Sequence, residues 1–204
     1  MTHAVIFDID GTLLNSAVTD DQMYREAVLE IFGEVSFRAE MHEYDRVTDL
    51  GILLQIIEDN NLEPAAHSIE GVKNAFFARM RSFLDNVGSF DEVPGTKAVL
   101  RRISALEDHR LAIATGGWRT SAEMKLKSVG FELQDVPVLT SDDHVERAGI
   151  MKIALAELGK DFESVTYFGD ALWDQRACHE LDWNFRAVGP MLDGLKTYDG
   201  LYTG

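Results

Sequence analysis

Five short apolar runs punctuate the chain: "HAVIFDI" from His3, "RLAIATG" from Arg110, "PVLTS" from Pro137, "VTYFGD" from Val165 and "FRAVG" from Phe185. Each is too short for a helix and ends in polar or glycine turn chemistry, which predicts strands covered on both faces. Between the later runs the apolar positions recur at helical spacing. Val99, Ile103 and Leu106 make one such pattern; Ile150, Ile153, Ala154 and Leu158 make another. Strands alternating with helices predict an α/β protein with a Rossmann-like parallel sheet.

The interval between the first two strands is too long for a single crossover. From about Asp20 to Asn86 it carries only helical patterns. Tyr24, Val28, Ile31 and Phe32 form one apolar stripe, and Ile52, Leu53, Ile56 and Ile57 a second. Val72, Phe76, Met80, Phe83 and Leu84 form a third. These stripes add layers to a single core or form a separate all-helical cap, and the length of the insertion favours the cap. The expected organisation is a Rossmann-like core of residues 1–15 and 91–204 with a cap of residues 16–90. "SFDEVPGT" is the return linker.

Charge narrows the choice of partners. Nineteen Lys and Arg against 35 Asp and Glu leave a formal net charge of -16. Nucleic acid and anionic membranes both require a positive footprint, so neither is an expected partner. An anionic small substrate stays open, because a bound divalent cation reverses the sign of a local site. No apolar run approaches the ~20 residues that cross a bilayer, and the N-terminus lacks a signal-peptide pattern. The single cysteine, Cys178, excludes an internal disulfide and suits a reducing cytoplasm, with packing as its role.

In an open α/β sheet, ligands gather beyond the carboxyl ends of the strands. Here the first strand runs into Asp8 and Asp10, the second into Thr115, Gly116 and Gly117, and the fourth into Gly169 and Asp170. The third is followed by Ser141, Asp142, Asp143 and then Arg147. "DIDGT", "ATGG", a basic residue and "GDALWD", in that order, resemble the motifs of the haloacid dehalogenase-like hydrolases. The helical insertion after the first motif matches that family's cap, so the resemblance spans nearly the whole chain.

The residue chemistry agrees with what the resemblance implies. Asp8 suits a nucleophile, since an aspartate can form an acyl-phosphate and split hydrolysis into two steps. A phosphate dianion would repel it unless Mg²⁺, which prefers hard oxygen ligands, holds both. Asp8, Asp10 and Asp170 are candidate metal residues; Asp174 either binds the metal or orients it from behind. Asp10 is the candidate acid and base, protonating the leaving alkoxide and later deprotonating water. Thr115, with the backbone of Gly116 and Gly117, offers donors to phosphoryl oxygens. Gly11 and Thr12 shape the turn after the nucleophile, with Thr12 either contacting substrate or only packing.

The basic position departs from the family pattern, where a lysine is usual. Lys152 falls inside the apolar repeat of its helix, whereas Arg147 stands just before that helix, where its fork can hold phosphate oxygens. Arg147 is the preferred cation. Asp142 and Asp143 read as loop caps that could support it, and Trp173 as a packing residue. "RVTDLGILLQII" resembles the family's cap segment near the active site, though the expected glycine is absent. Arg46, Thr48 and Asp49 are therefore substrate-contact candidates, with Thr48 and Asp49 equally readable as a helix N-terminus.

The expectation is a Mg²⁺-dependent cytoplasmic phosphatase acting on a small phosphate ester. A phosphomutase shares the whole core and differs in how the cap handles water. A 2-haloacid dehalogenase needs one aspartate and no metal, and leaves Asp10 unexplained. A phosphonate hydrolase would need a Schiff-base lysine in the cap. Lys73, the only lysine between Ser16 and Phe90, reads instead as a solvated helix face. A binding protein that keeps the fold without turnover would not need the full carboxylate set.

Overall fold

In the computed structural model, described over residues 2–63, 65–131, 135–159 and 161–203, the five apolar runs form one parallel sheet. Its strands are β1 (His3–Phe7), β2 (His109–Ala114), β3 (Val138–Leu139), β4 (Ser164–Gly169) and β5 (Asn184–Ala187), in the order β3-β2-β1-β4-β5. The central strand β1 pairs Phe7 with Ile113 on one side and with Phe168 on the other. The chain builds outward from β1 to β3 and then crosses back to β4. The order reverses at β1 and β4, which opens a crevice beyond their carboxyl ends.

Four helices cover the sheet: α4 (Thr96–Ala105), α5 (Arg119–Ser128), α6 (Arg147–Leu158) and α7 (Leu172–Leu181). Alternation along β1 divides the core. Val5 and Phe7 join one apolar cluster, while Ile6 packs with Tyr167, Met151 and Cys178 in the other, against α6 and α7. Arg147 is the first residue of α6 and not a residue ahead of it.

The stretch between β1 and α4 contains helices and no strand among its described residues: α1 (Ala17–Phe32), a 3₁₀ turn at Met41–Glu43, α2 (Asp49–Asp59) and α3 (Ala66–Val87). Their buried faces are those the stripes predict, with one correction. Ile31 is 37% exposed, and α1 buries Met23, Tyr24, Ala27 and Val28 instead. Ile31 rests on Gly71 of α3, which has no side chain to cover it. The insertion shares its apolar cluster with the sheet, from Val5 and Phe7 through Leu13 and Leu14 to Tyr24, Ile56, Phe76 and Trp118.

Polar struts also tie the insertion to the core. Thr48 caps α2 by accepting from the Gly51 N–H (3.1 Å) and donates to the Val145 carbonyl (2.7 Å). The Asp49 N–H donates to the Gly116 carbonyl (2.8 Å), and its carboxylate accepts from the Trp118 N–H (2.8 Å). Lys73 is not on a solvated face: its ammonium bridges from α3 to Asp142 (2.6 Å), beside the Trp118 ring. No helix among the described residues is long and apolar enough to cross a membrane.

Candidate active site

β1 ends one residue before Asp8, whose side chain shares the parity of Ile6 and so points toward α6 and α7. Its backbone N–H donates to the Phe168 carbonyl (2.9 Å), fixing it beside the end of β4. Asp8 is only 3% exposed. Carboxylate oxygens of Asp8, Asp170 and Asp174 lie within 4.8 Å of one another. Three carboxylates this close, mostly out of water, repel strongly unless protons or a cation intervene.

Two glycines make this convergence possible. Gly11 has a φ of 75°, and the Asp170 carboxylate occupies the space that a β-carbon at Gly11 would need. At Gly116 an added β-carbon would lie 2.5 Å from Nη2 of Arg147. Any side chain at either position would push a charged group out of the cluster.

Arg147 is the cation among the carboxylates. Its Nη1 lies 2.9 Å from Asp174 Oδ1 and 3.4 Å from Asp8 Oδ1, and its Nη2 donates to the Val47 carbonyl (3.2 Å) in the insertion. Its Nε–H, also buried, has no partner among the described residues. Asp174 is fully buried and also accepts from the Ala171 N–H (3.3 Å) at the start of α7, so it caps that helix while facing Arg147. The Tyr167 hydroxyl, bonded to the Ala114 carbonyl (2.8 Å), backs the pair. Lys152 is far more open and pairs with Glu180 (3.6 Å) on the outside of α6.

A cavity of about 190 Å³ opens over this cluster. Asp8, Asp10, Thr115, Gly116, Gly117, Arg147 and Asp170 line its floor, while Asp20, Asp21, Tyr24, Thr48, Asp49, Trp173 and Met191 contribute elsewhere on the wall. Three expected residues are placed otherwise. Arg46 is exposed, faces a separate groove and pairs with Glu146 (3.8 Å). Thr12 is fully buried outside the cavity lining, with its hydroxyl unpartnered among the described residues; it packs. Asp10 reaches the cavity, but its carboxylate turns to Lys125 and stands outside the three-carboxylate cluster, so no metal-ligand role follows for that side chain. Asp142 and Asp143 support Lys73 and Arg119 and not Arg147. Trp173 is partly buried and lines the cavity wall.

Sequence reasoning missed Lys125, Asp20 and Tyr167. Lys125 had a readable signal, since it occupies the apolar stripe that Ala122, Leu126 and Val129 complete, where a solvated lysine does not belong. Tyr167 carries no such signal, because an aromatic inside a short apolar strand run is the ordinary pattern of a core residue.

Burial pushes Asp8 up to about 7, with Asp174 and Asp10 adding to the rise and Arg147 opposing it. Asp170 rises further, to about 8, through burial and then the charge of Asp8. Asp174 is raised by burial against the pull of Arg147. Asp8 and Asp170 keep their protons in the metal-free fold at pH values where the unfolded chain has lost them. Folding then takes up protons between about pH 4 and pH 8, and stability falls as pH rises through that window. A cation that binds the deprotonated cluster reverses the trend. Melting temperatures in chelator should therefore decline from pH 5 to pH 8, and the gain on adding Mg²⁺ should be larger at pH 8. A metal-free melting temperature that climbs over this range would contradict the assignment of the raised carboxyls.

Similarity to known proteins agrees with this architecture. A search of the curated proteins returned no match. Among solved structures, a hydrolase from Pseudomonas syringae is 19% identical, with a TM-score of 0.73 over 90% of this chain and 83% of that one. A CbbY mutant from Rhodobacter sphaeroides in complex with xylulose-(1,5)bisphosphate is 20% identical, with a TM-score of 0.70 over 100% and 92%. A β-phosphoglucomutase from Clostridium difficile is 14% identical, with a TM-score of 0.73 over 95% and 87%. At these identities the likeness speaks for the fold alone. The sequence model of the haloacid dehalogenase-like hydrolases matches residues 5–188, from β1 past the end of β5, and the chain belongs to that family.

Proposed function

We propose that this protein is a Mg²⁺-dependent phosphatase that hydrolyses small phosphate monoesters through a phosphoryl group carried on Asp8. The observation that carries the reading is the convergence of Asp8, Asp170 and Asp174 within 4.8 Å, with Asp8, Asp170 and Arg147 lining a cavity and Asp174 buried behind them. An all-carboxylate donor set of hard oxygens fits Mg²⁺. Asp8 and Asp170 would hold the ion, with Asp174 holding it directly or fixing Arg147 beside it. Bound there, Mg²⁺ supplies charge that lets a phosphate dianion approach Asp8.

The chain's own residues account for the remaining steps. Arg147 and the Thr115–Gly117 turn orient the phosphoryl oxygens. Asp8 attacks phosphorus, and the ester P–O bond breaks with its electron pair on the leaving oxygen, which takes a proton from Asp10. Asp10 then removes a proton from water as its oxygen bonds to phosphorus and the bond to Asp8 breaks. The insertion helices, acting as a cap, exclude bulk water during the first step and open for product release.

The cavity wall bears on the leaving group. Among the described lining residues Arg147 is the only cation, and it is committed to the phosphoryl end. Asp20, Asp21 and Asp49 stand on the wall with Tyr24 and Trp173. A second anionic group on the substrate would find no unpaired cation among the described lining residues, and would lie beside carboxyls of which Asp20 and Asp21 are already matched by Lys125 and Arg25. The alcohol portion is therefore neutral or cationic, unlike the bisphosphate seen with CbbY.

The test is an assay with p-nitrophenyl phosphate in chelator and after Mg²⁺ is restored, followed by ethyl, 2-aminoethyl and carboxymethyl phosphate. Turnover should vanish without metal and return with it. The carboxymethyl ester should fall at least about tenfold below the other two in kcat/KM. Metal-independent turnover would remove the Mg²⁺ dependence, and release of halide from 2-chloropropionate without turnover of any phosphate ester would remove the phosphatase reading.

A further inference from the structure

Lys125 is 0% exposed. A lysine is almost never buried to this extent unless its charge is paired, and here the pairing is complete. Its ammonium donates to Asp10 Oδ1 (2.7 Å), Asp10 Oδ2 (2.7 Å) and Asp20 Oδ1 (2.7 Å), so all three N–H groups are used. Ser16 adds a fourth contact, donating from Oγ to Asp10 Oδ1 (2.5 Å). Lys125 belongs to α5 in the core, while Asp20 lies in the first turn of α1 in the insertion.

Replacing a buried ion pair by apolar side chains of similar volume is often neutral or stabilising, so packing alone does not call for this triad. Its place against Asp10 does. We propose that Lys125 is a positioning residue for Asp10, anchored across the domain boundary by Asp20. The clamp grips the carboxylate from behind while Asp10 still lines the cavity. The anchor makes the orientation of Asp10 depend on α1 being seated.

This inference rests on the phosphatase reading and makes a kinetic demand of its own. p-Nitrophenolate leaves phosphorus without needing a proton, so the first step does not depend on Asp10. The second step does, because Asp10 must take the proton of the attacking water. A misplaced Asp10 lets Asp8 become phosphorylated and then stall.

Lys125→Met alone leaves two carboxylates facing each other, so the main variant is Lys125→Met combined with Asp20→Asn. Lys125→Gln, which keeps an N–H donor, is the second. Rapid mixing with p-nitrophenyl phosphate at saturating Mg²⁺ should give a burst of about one nitrophenolate per folded enzyme. Steady-state turnover should follow, slower by roughly 10²-fold in the double variant and less in Lys125→Gln. Asp20→Asn alone weakens the anchor while Lys125 still meets Asp10, and should give a burst and a slowing smaller than those of the double variant. Steady-state rates near the unaltered protein's, or burst and turnover lost in equal proportion, would overturn the positioning role. An unaltered protein that turns over no aryl phosphate would overturn the phosphatase reading, and this inference with it.

Discussion

Asp8→Asn is expected to lower steady-state phosphatase turnover by at least about 10⁴-fold, the scale on which removal of a nucleophile acts, while the protein stays folded. An amide oxygen does not attack phosphorus to give a species that water readily cleaves, so the two-step route closes. The same substitution removes one of three carboxylates that crowd within 4.8 Å, Asp8 and Asp174 being buried and Asp170 partly so. Asp8 is held up to about 7 largely by burial, so its ionised form is disfavoured in the metal-free fold. A neutral amide there should leave the metal-free melting temperature at pH 8 unchanged or higher. Activity and melting measured on one preparation separate the two effects. Near-normal turnover by folded Asp8→Asn would displace Asp8 from the role of nucleophile.

Arg147→Ala is the second large effect, expected to cut kcat/KM by roughly 10²- to 10³-fold, as loss of a transition-state charge contact does. It also strips the partner from Asp174, which is fully buried. Breaking a buried pair by removing one side costs about 3–5 kcal/mol, so melting temperature should fall as well. Kinetics must be normalised to folded protein for that reason. Arg147→Lys keeps the charge without the fork that spans Asp8, Asp174 and the Val47 carbonyl, and should recover only part of both losses. Lys152→Ala should change neither by much, because Lys152 is exposed and pairs with Glu180 on the surface, a contact of small value. A crippled Lys152→Ala beside an active Arg147→Ala would reverse the assignment of the phosphate-binding cation.

Much of the fold was legible along the chain. All five strands lie where the short apolar runs stand, and the stretch from Ala17 to Val87 is helical, with turns and loops between. The strand ends carried Asp8, Thr115 and Asp170, and these meet at one cavity because parallel strands deliver their carboxyl ends to the same edge. The choice between Arg147 and Lys152 was readable in part, since Lys152 interrupts an apolar repeat while Arg147 precedes one.

Local pattern determined strands, helices and the rim of the sheet, because periodicity and turn chemistry act over a few residues. The tertiary structure alone decided which charges meet. Lys125 finds Asp10 across 115 positions and Asp20 across 105, and Arg147 finds Asp8 across 139. It also turned Arg46 outward to Glu146 and shut Thr12 into the core. A charge in sequence carries no mark of its partner. Pairing depends on burial, where losing water makes an unmatched ion costly, and burial is set only when distant segments pack together.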